Sequence, residues 1–118
     1  MKRGEVWIAA GGKDYAGKPR PVVIVQDDRF DATASITICA FTTDETDLPL
    51  LRLPVTASAM NGLRLSSRLM VDKVTTVPKS KLGTCIGRTD EADIQRLDRA
   101  LVTFLGLADP TREIATSP

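Results

Sequence analysis

Apolar residues recur with the two-residue period of β-strands over the first two-thirds of the chain and take up helical spacing only near its end. Glu5–Ala10 (EVWIAA) is a short apolar run, and Gly11, Gly12 and Pro19 mark the polar stretch after it as a loop. Pro21–Gln26 (PVVIVQ) is β-branched and almost wholly apolar, the pattern of a strand buried on both faces. A turn at Asp27–Asp31 leads to Ser35–Phe41 (SITICAF), which alternates polar with apolar residues until Cys39. After an acidic loop at Thr43–Asp47 comes the strand pattern Leu50–Val55 (LLRLPV), where Pro54 confines the strand to an edge or an end. Asn61-Gly62 marks a turn; Ser67–Asp72 and Lys73–Val77 read as strands up to Pro78, and a helical turn around Lys79–Leu82 precedes a brief strand at Thr84–Gly87. Ile94, Leu97, Leu101, Phe104 and Leu105 then form one apolar stripe of a helix running from about Glu91 to Leu105. Thr89 or Asp90 suits its N-cap, and Gly106 supplies its stop.

Six or seven short strands followed by one amphipathic helix predict a mainly β fold, a small and strongly bent barrel with the helix packed against it. The uneven strand spacing argues against a sandwich. With 118 residues the chain holds one domain, residues 1–107, and the proline-containing segment 108–118 is expected to be a flexible tail. Aromatics number only five, so Val, Ile, Leu and Ala must build the core.

Composition removes several chemistries. The chain has no histidine, which excludes His-based triads and nearly all catalytic zinc sites. Cys39 and Cys85 form no CxxC pair; both read as buried, idle thiols in a reducing cytosol. No apolar run approaches the ~20 residues of a membrane helix, so a cytoplasmic protein is expected. The net charge of +1 hides a segregation: residues 31–63 carry −3 and residues 64–88 carry +5. Such a division can give one face basic enough to hold a polyanion.

Without histidine, a catalyst has to come from Arg, Lys, Asp, Glu, Ser, Thr or Tyr. Arg20 opens the most apolar strand between two prolines, whose rings stiffen the backbone beneath it. Its planar fork is suited to grip a phosphate through two oxygens; the same position also suits an arginine whose stem covers the barrel rim. Thr42 follows Phe41 at the far end of the third strand, where its hydroxyl can bond a phosphoryl oxygen or simply end a strand. Asp72 is the one acid among residues 64–88. Its neighbouring cations favour the charged form, and it can serve to hold Arg20 or Arg68 in position. Trp7 reads as core.

These residues also carry a family resemblance. MKRGEVW, a polar loop, KPRPVVIVQDD and ITICAFTTD, followed by SRLMVDKVTTVPKSKLG, IGR and a terminal amphipathic helix, resemble the MazF/PemK toxin endoribonucleases over about residues 2–106. The resemblance implies an SH3-like (CcdB/PemK-type) barrel, a cytoplasmic homodimer that cuts single-stranded RNA, usually mRNA, at a short preferred sequence. It further implies a cognate antitoxin whose disordered tail occupies the RNA site. By position the family's catalytic Arg falls on Arg20 and its catalytic Thr on Thr42, while an Asp proposed to act in the PemK branch falls on Asp72. The Arg two places before that Asp in the PemK branch is Met70 here, so the Arg/Thr pair is what carries over. Under this reading the RNA's own 2′-hydroxyl attacks, products are a 2′,3′-cyclic phosphate and a 5′-hydroxyl, and no cofactor or metal is needed. Tyr15 is placed to stack on a base or to anchor its loop, and Lys13, Lys18, Arg64, Arg68 and Lys73 are candidate phosphate contacts. Two other readings share the fold: a CcdB-like gyrase poison that binds without cleaving, and a barrel that merely binds nucleic acid or a peptide.

Overall fold

In the computed structural model, which describes residues 1–11 and 18–107, the alternating segments form seven strands and the periodic segment one helix. The strands are β1 (Glu5–Ala9), β2 (Arg20–Ile24), β3 (Ser35–Thr42), β4 (Arg52–Val55), β5 (Ser67–Met70), β6 (Thr75–Pro78) and β7 (Leu82–Arg88); the helix, α1, spans Glu91–Phe104. All pairings are antiparallel in the order β4-β5-β3-β2-β1-β7, and β6 also pairs with β3. One edge of β3 therefore serves two partners. Ser35–Ile38 pair with β6, and Phe41 and Thr42 pair with Leu69 and Arg68 of β5.

The apolar run of β2 is buried on both faces, as its composition predicts. Val23 joins Val6, Cys39, Phe41, Leu69 and Leu97 in one core cluster; Val22 and Ile24 join Ile36, Ile38, Ala40 and Leu82 in another. β4 is an edge strand and carries Pro54 exposed, where its missing N–H interrupts no ladder. The predicted strand Ser67–Asp72 stops at Met70, because Val71–Lys73 winds into a 3-10 turn with Val71 buried. That turn moves the chain from the β5 segment of β3's edge toward the β6 segment.

Leu97 docks α1 on the first cluster, with Ile94 and Leu101 packed beside it. Asp90 is the N-cap, accepting from the Asp93 backbone N–H at 2.8 Å. The apolar stripe contributes less than its length suggests, since Phe104 and Leu105 are exposed beyond the last turn that reaches the core. Gly106 ends the helix with φ +71°. The tail expected at 108–118 lies outside the described residues.

The Asn61-Gly62 turn is pressed against β7. Gly62 has φ +71°, and a Cβ there would stand 2.1 Å from the Ile86 carbonyl oxygen. The backbone N–H of Arg88 donates to the Met60 carbonyl at 2.8 Å across the same contact.

Two expectations need correction. Cys39 is buried, and burial pushes its thiol up to about 12, but Cys85 is exposed because β7 pairs on one side only, with β1. Trp7 is half-buried rather than central; it packs on the second cluster while its Nε1 donates to Glu5 Oε1 at 3.0 Å. Among the described residues no helix is long and apolar enough to cross a membrane.

Candidate functional site

The two strands of the double-faced core deliver Arg20 and Thr42 to one place. Arg20 begins β2 opposite Ala9, and its Nη1 stands 3.5 Å from the carbonyl oxygen of Phe41, the residue before Thr42. Both residues line a cleft of about 580 Å³, together with Asp44, Arg52, Met70 and Lys73. An adjoining cleft of about 460 Å³ shares Arg20, Thr42 and Asp44 and extends to Lys18 and Ser67.

Thr42 is 8% exposed, and its Oγ1 accepts from the Asp44 backbone N–H at 3.1 Å. Asp44 in turn accepts from the Thr46 hydroxyl at 2.8 Å and the Thr46 N–H at 2.9 Å. Those Thr46 bonds, helped by the charges of Arg52 and Arg68, hold the Asp44 carboxyl below the usual carboxylate range. Arg68 braces the same loop, its Nη1 donating to the carbonyls of Glu45 (3.1 Å) and Thr46 (2.9 Å).

Asp72 does not hold Arg20 or Arg68. It accepts from Arg52 Nη1, which also donates to the Leu51 carbonyl at 2.9 Å. Arg52 sits directly opposite Met70 in the β4–β5 register, so the cleft gains a guanidinium from the neighbouring strand beside that methionine. Arg52 was missed in the sequence, although the signal exists: it is the one cation in residues 31–63 and is flanked by Leu51 and Leu53.

Of the predicted phosphate contacts, Lys73 and Lys18 line the clefts that hold Arg20, while Arg68 is tied to the loop beside them. Arg64 is exposed in the β4–β5 loop, away from both. Lys13 and Tyr15 lie outside the described residues. The basic segment 64–88 does not collect on one face: Lys79 pairs with Asp31 at 3.0 Å, and Arg88 lines a different cleft with Lys2, Arg3 and Asp28.

A bent antiparallel barrel with a cationic cleft at the end of its third strand and one C-terminal helix is the class of molecule so defined, matching the SH3-like barrel that the resemblance implied. The chain belongs to the PemK-like, MazF-like toxins of type II toxin–antitoxin systems, whose family model matches residues 2–105. It is 56% identical over 108 residues to a probable endoribonuclease MazF of Mycolicibacterium smegmatis, covering 92% of this chain and 99% of that protein. Against endoribonuclease MazF9 of Mycobacterium tuberculosis it is 29% identical over 117 residues, covering 91% and 98%. Among solved structures it resembles a mycobacterial endoribonuclease in complex with its cognate antitoxin (TM-score 0.74, 25% identity, 93% of this chain and 97% of that one). It also resembles the Mycobacterium tuberculosis toxin MazF-mt6 (TM-score 0.74, 27% identity, 89% and 99%).

Proposed function

We propose that this chain is the endoribonuclease toxin of a toxin–antitoxin pair and that it cuts single-stranded RNA, with mRNA as its cytoplasmic substrate, at a preferred sequence in the cleft shared by Arg20 and Thr42. The carrying observation is the convergence of those two side chains from separate strands. RNA brings its own nucleophile in the 2′-hydroxyl, so the protein's tasks are to align that oxygen with phosphorus and to stabilise charge on the phosphoryl oxygens. Arg20 performs the second task with its fork, and Thr42 donates its hydroxyl proton to a phosphoryl oxygen or orients the 2′-hydroxyl. The bond from the 2′-oxygen to phosphorus forms as the 2′-hydroxyl yields its proton to water and the bond to the 5′-oxygen breaks, that oxygen taking a proton from water, giving a 2′,3′-cyclic phosphate and a 5′-hydroxyl. No metal-bound water is required by this route. The chain works as a homodimer, and a cognate antitoxin silences it by laying a disordered tail across the same cationic cleft.

The test is to incubate purified protein with a long single-stranded RNA in EDTA and to map the 5′ ends. Discrete cuts with 5′-hydroxyl ends are expected, and Arg20→Ala should lose about 10²–10³-fold in rate while keeping its melting transition. Near wild-type cleavage by Arg20→Ala overturns the assignment; intact RNA together with inhibited DNA supercoiling favours the gyrase poison.

A further inference from the structure

We propose that Arg52 is a second phosphate-binding guanidinium of this cleft, positioned by Asp72, and that it grips an RNA phosphate adjacent to the scissile one. Among the described residues, the cleft lining carries three cations, Arg20, Arg52 and Lys73, against one carboxylate, Asp44. Arg52 differs from Lys73 in being fixed: its side chain is 11% exposed, and Nη1 is held by the Asp72 carboxylate and the Leu51 carbonyl. An arginine has five N–H donors on three nitrogens. Both holding bonds run through Nη1, so Nε and Nη2 make no hydrogen bond to a described residue and can take two oxygens of an anion.

A purely structural role explains the residue poorly. It stands on an edge strand with its side chain 11% exposed, and a largely buried ion pair adds little stability over a hydrophobic replacement. Asp72, by contrast, makes sense as the anchor of a cation that must keep its fork aimed into the cleft. Asp72 is a positioning residue, since Arg52 and not Asp72 lines the cleft.

This inference rests on the proposed function, and its test keeps the two apart. The probe is a single-stranded DNA oligonucleotide matching a mapped cut site, which lacks the attacking 2′-hydroxyl, titrated over a salt series. Arg52→Gln should weaken binding about tenfold, the cost of one charge-assisted bond, and lower the salt slope by about 0.7, the contribution of one single-strand phosphate. With RNA the same variant should raise KM about tenfold and leave kcat within about twofold. Arg52→Lys should keep the salt slope while losing part of the affinity, because it retains charge without the fork. Asp72→Asn should weaken RNA binding several-fold, although removal of a negative charge beside the cleft would by itself tighten it.

An unchanged salt slope in folded Arg52→Gln overturns the proposal, as does Asp72→Asn binding as tightly as the unsubstituted chain or more so. If Arg52→Gln loses its melting transition, Arg52→Lys and Asp72→Asn decide the matter by the same readings. Should Arg20→Ala cleave RNA normally while Arg52→Gln lowers the slope, the reaction assignment falls and the phosphate grip stands. The reverse pattern removes the grip alone.

Discussion

Replacing Thr42 by valine preserves the side chain's shape and removes only its hydroxyl. That oxygen now accepts from the Asp44 backbone N–H at 3.1 Å, which occupies one of its two lone pairs and leaves its proton to donate into the cleft. The two functions differ in magnitude. Asp44 lies on an exposed loop, where water can take over the lost bond, so stability should fall by only about 0.5–1 kcal/mol. A hydroxyl donating to a charged phosphoryl oxygen is worth about 1.5–3 kcal/mol, so kcat/KM should fall roughly 10- to 100-fold. Thr42→Ser keeps the oxygen and should restore most of the rate. The assay is single-turnover cleavage of a defined oligonucleotide, run beside thermal melts of the same preparations. Thr42→Val cleaving at the unsubstituted rate would refute the reasoning. So would a folded Thr42→Ser as slow as Thr42→Val, because the methyl group and not the hydroxyl would then matter.

Gly62→Ala should cost more stability than any surface change, about 2 kcal/mol or more. It adds a left-handed conformation to a Cβ that would lie 2.1 Å from the Ile86 carbonyl oxygen; a denaturation midpoint equal to that of the unsubstituted chain would contradict this. A thiol reagent should label one cysteine per native chain, Cys85, and both after denaturation; rapid native labelling of Cys39 would show that its cover opens easily. Because the Cys39 thiol is raised from 9.0 to about 12, chiefly by burial, its contribution to stability is complete below its unfolded value and declines as pH climbs from about 9 toward about 12. Cys39→Ala should flatten that alkaline decline in a pH series of unfolding free energies, and an equally steep decline would assign it to other groups.

The β-architecture was legible because burial leaves a period-two record. Pro21–Gln26 announced a strand covered on both faces, and Pro54 announced an edge. The helix was legible over its whole length, Glu91–Phe104, but its buried stripe was overextended to Phe104 and Leu105, since periodicity states which face is apolar and not where the surface it packs on ends. Cys85 escaped because an edge strand exposes residues that alternation alone assigns to the interior. The Arg20 and Thr42 positions could be named as strand ends, but their convergence depends on register, which no local pattern contains. The Arg52–Asp72 pair had a subtler trace. Arg52 is the lone cation of residues 31–63, Asp72 the lone acid of residues 64–88, and the fold joins the two exceptions.

The location of the cleft follows from β3 having two partners on one edge. β6 occupies that edge at Ser35–Ile38 and β5 at Phe41–Thr42, so the chain between them must leave the sheet through the Val71–Lys73 turn. Where it leaves, the edge opens beside Thr42, and Met70, Lys73 and Thr75 become walls. The groups proposed for chemistry therefore stand on ladder-bonded strands whose neighbours, Val22 and Phe41, are 0% and 1% exposed. Rigid placement of this kind is what stabilising a transient phosphorane demands, since donors that must reorganise during the reaction forfeit much of their effect. The cleft's other wall is different in kind. The loop carrying Asp44 and Thr46 is exposed and held by a few hydrogen bonds, the two from Arg68 among them. The proposed chemistry therefore belongs to the strand side, where the constraint is greater.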